Sequence, residues 1–132
     1  MAERILHGGA FPTMVTPYNK DGSVDYGAVV ALTEWYHEKG CDGIFAVCQS
    51  SEIMFLSVKD RAKIAKTVKE TAEKWARENN IHKLVGDVRH LNIASIAACI
   101  KNGFIITGIH YDAAFINGKW HHEYILEKIL EK

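Results

Sequence analysis

Apolar residues follow two patterns along this chain, and the two patterns alternate. Four short apolar runs predict strands, and the longer stretches between them, in which apolar residues recur every three or four positions, predict helices. Asp25, Ser57 and Asn92 precede three of these helices as N-caps. The strict alternation favours a parallel sheet with right-handed crossovers. The predicted strands lie at residues 14–16, 44–47, 83–88 and 104–109, and the predicted helices at 26–39, 58–78, 93–101 and 120–132.

Four strand–helix units are half of an eight-unit barrel, which typically takes about 250 residues. The first expectation is therefore an α/β fold in which residues 1–132 form a single (βα)4 half-barrel domain, half of a TIM (β/α)8 barrel, closed by dimerisation. The alternative is an open, flavodoxin-like parallel sheet. Because bare sheet edges promote aggregation, we expect a homodimer or higher homo-oligomer.

Charge and composition narrow the range of partners and compartments. The 132 residues carry sixteen basic and sixteen acidic side chains, so nothing predicts binding to nucleic acid or to an anionic membrane. The longest apolar runs fall short of the roughly 20 residues of a membrane span, and the first residues lack the layout of a signal peptide. Three widely spaced cysteines suit reduced thiols, which predicts a cytoplasmic protein without a disulfide or zinc framework.

Polar residues follow the predicted strands where a parallel sheet would bind ligands. The segment Cys48–Glu52 comes directly after the strand at 44–47. Histidines and aspartates at the same edge could bind a metal, but their spacing is a weak signal and no metal site is predicted. Cys48 is interpreted as a buried thiol, because no motif ties a histidine to it. The other residues expected at this edge are Asp87, Arg89, His90, His110 and Asp112.

Several motifs in the first half of the chain resemble one enzyme family. They are the segments 11–18, 21–25 and 40–44, Glu52, and Leu56 with Ser57. Over roughly residues 8–76 the chain is similar to the dihydrodipicolinate synthase and N-acetylneuraminate lyase family of class I aldolases. The resemblance implies a (β/α)8 lyase that needs no cofactor and forms a Schiff base between a lysine and pyruvate or a related 2-oxo acid.

The resemblance also suggests roles for individual residues. Ser50 matches a threonine that holds the carboxylate of the 2-oxo acid, Gln49 replaces a threonine of the proton relay, and Ser51 stands beside them as a third substrate-binding candidate. Glu52 and Thr16 are expected to be structural at the site. Tyr111 is similar to a catalytic tyrosine of the family's proton relay.

Whether the chain is an enzyme stays open at this point. The family's imine lysine lies on a sixth strand, and the pattern contains only four, so the chain is either a truncated aldolase without that lysine or an inactive or engineered scaffold that self-assembles. Residues 83–107 also resemble the late strands of transaldolases, where an arginine binds a sugar phosphate. Arg89 would match that arginine, but Asp87 would repel phosphate. Sugar-phosphate binding through Arg89 is therefore a third hypothesis.

Overall fold

The computed structural model describes residues 9–130, which form two compact units. The N-terminal unit comprises residues 9–75 and the C-terminal unit residues 76–130. The ends of the predicted 1–132 domain, including the N-terminal residues examined for a signal peptide, lie outside the described range. The half-barrel organisation predicted for that domain is wrong, because the sheet of the C-terminal unit is antiparallel.

Helices dominate the N-terminal unit. Helix α1 spans Tyr26–Glu38, and the side chain of Asp25 accepts a hydrogen bond from the backbone N–H of Ala28 at 2.9 Å, as an N-cap does. Helix α2 spans Val58–Glu78, of which all but the last three residues belong to this unit, and it begins with a capping pair in which the Ser57 hydroxyl accepts from the N–H of Asp60 at 3.1 Å. In residues 9–130, no helix is long and apolar enough to span a membrane.

The two strands predicted in this unit are reduced to a single parallel bridge between Thr13 and Phe45. The N–H of Met14 donates to the carbonyl of Phe45, and the N–H of Phe45 donates to the carbonyl of Pro12, both at 2.9 Å. The side chain of Met14 then enters the core of the unit. That core consists of Met14, Val29, Leu56, Ile64 and Val68.

The C-terminal unit is an antiparallel sheet with one short helix. Helix α3 spans Ile93–Lys101, and the strands are β1 (Lys83–Arg89), β2 (Ile105–Ile116) and β3 (Lys119–Ile129). The strand order is β1-β3-β2, with both outer strands antiparallel to β3. Its buried apolar residues are Ala76, Ile96, Phe104, Leu126 and Leu130.

This sheet overturns both predicted folds, because a parallel half-barrel and a flavodoxin-like sheet each require neighbouring parallel strands. The predicted last helix at 120–132 is wrong for the same reason. Asn117 and Gly118 have φ angles of 51° and 77°, the left-handed conformation of a two-residue hairpin turn. The chain therefore returns at once along β2 as an antiparallel partner, before a helix can begin.

Candidate carboxylate-binding loop

The loop Cys48–Glu52 follows the bridge at Phe45 and is fixed by two buried contacts. The Ser51 side chain is 1% exposed and its hydroxyl donates to the carbonyl oxygen of Met14. In return, the Thr16 hydroxyl donates to the carbonyl oxygen of Ser51 at 2.6 Å. The loop is thereby tied to the segment Met14–Thr16, in which the side chain of Met14 belongs to the core of the unit.

Gln49 and Ser50 lie at the exposed surface of this loop, in a single 3-10 turn that spans Gln49–Ser51. Within residues 9–130, neither of their side chains has a hydrogen-bond partner. Ser51, the third residue proposed to bind substrate, uses its hydroxyl on Met14 instead. The groups that the loop offers to a ligand are therefore the carboxamide of Gln49 and the hydroxyl of Ser50.

Two residues with left-handed backbone flank the turn. Val47 has φ = 56° and Glu52 has φ = 60°. This conformation is costly for a β-branched residue such as valine, so the sharp turn at the end of the bridge is held by its surroundings. Tyr18 lies beside Glu52, and both its partial burial and its hydrogen bond with the Glu52 carboxylate raise the pKa of Tyr18. Both residues lie in motifs of the resembled family, but no local pattern in the sequence indicates that they contact each other.

Cys48 faces the hydroxyl of Ser51, with 3.2 Å between the sulfur and the oxygen. When the thiol ionises, that hydroxyl can turn from the Met14 carbonyl and donate to the sulfur. The hydrogen bond with Ser51 is the main reason that the pKa of Cys48 lies below its ordinary value, and the backbone N–H groups of Ser51 and Ser50 add to the effect. The thiolate of Cys48 therefore forms at lower pH than that of an ordinary cysteine.

We expect Ser51→Ala to raise the pH at which Cys48 reacts with iodoacetamide. The measurement is the alkylation rate of the Cys48 peptide between pH 6 and pH 10, followed by mass spectrometry, and its midpoint should move to higher pH because the thiolate loses one hydrogen bond. Ser50→Ala is the matched control and leaves the midpoint close to that of the unaltered protein, because only its backbone reaches the sulfur. Equal midpoints in all three proteins would contradict this account of the thiol.

The other two predicted site residues, Arg89 and Tyr111, belong to the C-terminal unit. Arg89 lies at the end of β1 with its Nε 3.7 Å from a carboxylate oxygen of Glu123. Tyr111, on β2, is 73% exposed, and its ring meets that of His122 edge-on, with 5.1 Å between the centroids. The loop at Gln49 and Ser50 belongs to the N-terminal unit and is not part of the sheet that carries Arg89 and Tyr111.

Arg89 borders an open cleft of about 730 Å³. Asp87 and Glu123 line the same cleft, so the arginine is outnumbered by carboxylates. His110 lies in the same row of the sheet as Arg89, with Glu123 between them on β3. Among the residues that the structure describes, no cluster of histidine, cysteine, aspartate and glutamate side chains is arranged to hold a metal ion.

Comparison with known proteins assigns a family to the first half of the chain. Residues 6–77 match the dihydrodipicolinate synthetase family. The 4-hydroxy-tetrahydrodipicolinate synthase of Neisseria gonorrhoeae is 37% identical over 67 residues, which are 50% of this chain and 23% of that protein. The enzyme of the same name from Chlorobaculum parvum is 35% identical over 72 residues, 54% of this chain and 24% of that protein. The chain thus spans about a quarter of the length of these relatives.

Solved structures give a different and partial likeness. The acetyltransferase of the GNAT family from Streptococcus pneumoniae has a TM-score of 0.45 and 29% identity, covering 48% of this chain and 38% of that one. The ribosomal-protein-alanine N-acetyltransferase from Brucella melitensis has a TM-score of 0.44 and 31% identity, covering 49% and 40%. TM-scores this low do not establish a shared fold or a shared function.

Proposed function

Because this chain belongs to the dihydrodipicolinate synthetase family, we propose that its Cys48–Glu52 loop binds the carboxylate of a small 2-oxo acid such as pyruvate. The observation that supports the proposal most strongly is the different burial of the neighbouring serines Ser50 and Ser51. Ser51 is buried and fixes the loop, whereas Ser50 is exposed with its hydroxyl unused. A hydroxyl and a carboxamide on a fixed turn are donors that suit a carboxylate.

We further propose that this chain by itself binds the 2-oxo acid without forming an imine. Imine chemistry needs a lysine whose amine is desolvated enough to lose its proton near neutral pH. Every lysine in residues 9–130 is exposed or half-buried. Tyr111 stays a predicted proton-relay residue.

The alternative of sugar-phosphate binding through Arg89 has weaker support. Asp87 and Glu123 share its cleft, and their two negative charges exceed the single positive charge of the arginine. A phosphate would therefore meet a net repulsion at this position.

The cytoplasmic location also stays a prediction, based on the reduced cysteines of the sequence.

Ser50→Ala is expected to weaken pyruvate binding by about tenfold or more, because a hydrogen bond to a charged group contributes roughly 1.5–3 kcal/mol. The measurement is a titration of the 15N-labelled full chain with pyruvate, following the backbone amides of Gln49 and Ser50 by NMR. Ser95→Ala, a serine of the C-terminal unit, is the control and leaves the affinity unchanged. Equal affinity of the unaltered protein and Ser50→Ala would refute the proposed site.

Borohydride treatment in the presence of labelled pyruvate tests the second part of the proposal separately. No lysine should retain the label, since no lysine in residues 9–130 is buried. A stable adduct on any lysine, located by mass spectrometry, would show that imine chemistry survives on this chain, whatever the outcome of the binding experiment.

A further inference from the structure

The outer edge of β1 is an unpaired strand edge. Strand β1 is the end strand of the sheet, and within residues 9–130 no strand pairs with its outer side. The hydrogen bonds at the two ends of its pairing with β3 come from Leu130 N–H to His82 and from His90 N–H to His122. Because such bonds recur at every second residue, Leu84, Gly86 and Val88 direct their backbone groups toward β3.

The residues between them direct their N–H and C=O groups away from the sheet. These are Lys83, Val85 and Asp87, all with exposed side chains on one face, and the Val85 side chain is 58% exposed. An apolar residue flanked by bare backbone donors and acceptors is the kind of edge that pairs with another strand.

The order of charges along this edge makes it complementary to itself. If two copies of β1 run antiparallel about a two-fold axis at Val85, each Lys83 lies opposite Asp87 of the other copy, and the two Val85 side chains meet at the centre. Lys83, Val85 and Asp87 also direct their backbone N–H and C=O groups outward. The backbone hydrogen bonds between two β1 strands therefore form in the same register as the Lys83–Asp87 charge pairs. Within residues 9–130, no cation is paired with Asp87, while Lys83 contacts Glu127 of its own sheet at 2.8 Å.

The opposite edge of the sheet, on β2, is less suited to pairing. Its register with β3 shifts between Ile106 and Gly108 and again between His110 and Ala114. Such bulges twist a strand and interrupt the even spacing of its free backbone groups, which protects an edge. Strand β1 pairs with β3 without any shift.

We propose that two copies of this chain associate through the outer edges of their β1 strands, antiparallel and centred on Val85. The product is a continuous six-stranded sheet with two-fold symmetry. Each Lys83–Asp87 pair crosses the new interface, and Val85 contacts its own symmetry mate. The proposal is independent of the ligand of the Cys48–Glu52 loop.

The test is a pair of charge reversals made in the full chain. Lys83→Asp places two acidic side chains opposite two others, and Asp87→Lys does the same with basic ones, so each variant should dissociate at least about tenfold more readily than the unaltered dimer. An equimolar mixture of the two variants restores both charge pairs and should form a heterodimer. Sedimentation velocity measures all three samples at micromolar concentration.

Lys66→Asp serves as the control, because Lys66 also forms an ion pair, with Glu70 at 3.7 Å, but on the exposed face of α2. This variant should remain as dimeric as the unaltered chain. Recovery of a dimer on mixing also shows that both charge-reversed variants are folded. A monomeric unaltered chain, a dimer indifferent to either reversal, or a mixture that fails to associate would each overturn the proposal.

Discussion

Leu126→Ala is expected to lower the free energy of unfolding of the C-terminal unit by about 2–5 kcal/mol. Leu126 is 1% exposed on the central strand β3, where it lies between Gly86 of β1 and Ile106 of β2. Truncation removes the apolar contacts of the side chain and leaves a cavity that the surrounding sheet cannot fill. Glycine at position 86 offers no side chain that could move into the space.

Urea unfolding followed by far-ultraviolet circular dichroism measures this effect. Ile129→Ala is the matched control, because Ile129 lies on the same strand but is 50% exposed, and it should cost less than about half as much. If the two substitutions destabilise the protein equally, Leu126 is not the centre of the C-terminal core.

Met14→Ala is expected to destabilise the N-terminal unit by a similar amount, about 2–5 kcal/mol. Met14 is 2% exposed in the core, its N–H donates to Phe45, and its carbonyl accepts the hydroxyl of Ser51. Loss of the side chain therefore removes core packing at the point where the Cys48–Glu52 loop is attached. Weaker attachment of that loop should also reduce its affinity for pyruvate.

Val15→Ala is the matched control for Met14→Ala, because Val15 is the next residue in the chain but its side chain is 58% exposed and contributes little to the core. It should change the urea midpoint and the pyruvate affinity little. Tryptophan fluorescence during urea unfolding gives the stability, and the NMR titration gives the affinity. A Met14→Ala protein as stable as Val15→Ala would contradict the proposed role of Met14.

The features predicted correctly from the sequence are those determined by a few neighbouring residues. The N-caps Asp25 and Asn92 accept hydrogen bonds from the N–H groups three residues ahead, and α2 has the predicted limits Val58–Glu78. The turn at Asn117 and Gly118 is equally local, since both residues tolerate a left-handed backbone. Capping and turn geometry depend on local hydrogen bonds and φ angles, and these are encoded within four or five positions.

The pairing of strands could not be predicted in the same way. The segment after Gly118 has apolar residues at Tyr124, Ile125 and Leu126 together with charges at helical spacing, so its pattern also suits an amphipathic helix. The hairpin turn before it was the stronger signal, because a two-residue turn directs the chain back along β2. Strict alternation of strands and helices instead predicts β1 and β2 as members of a parallel sheet, which does not form because β3 lies between them and is antiparallel to both.

At the candidate site, too, the sequence predicted the local motif but not the contact between distant residues. The motif around Glu52 located the loop, and the family match over residues 6–77 confirmed the relationship. The buried hydroxyl of Ser51, which joins the loop to Met14 across 37 positions of sequence, had no local signature. Ser50 and Ser51 are equivalent in the sequence pattern. Only the structure shows that Ser51 is buried and holds the loop, whereas Ser50 is exposed and accessible to a ligand.

In this chain a segment that belongs to the dihydrodipicolinate synthetase family, residues 6–77, is followed by an antiparallel hairpin. Nuclear Overhauser contacts across the turn at Asn117 and Gly118 distinguish this hairpin from the helix that the sequence pattern suggests. We expect cross-strand contacts between Phe115 and Trp120, whose rings lie with centroids 5.0 Å apart, and between Ile109 and Tyr124. Contacts between residues three apart throughout 120–129, with none across the turn, would show a helix there and rule out the hairpin.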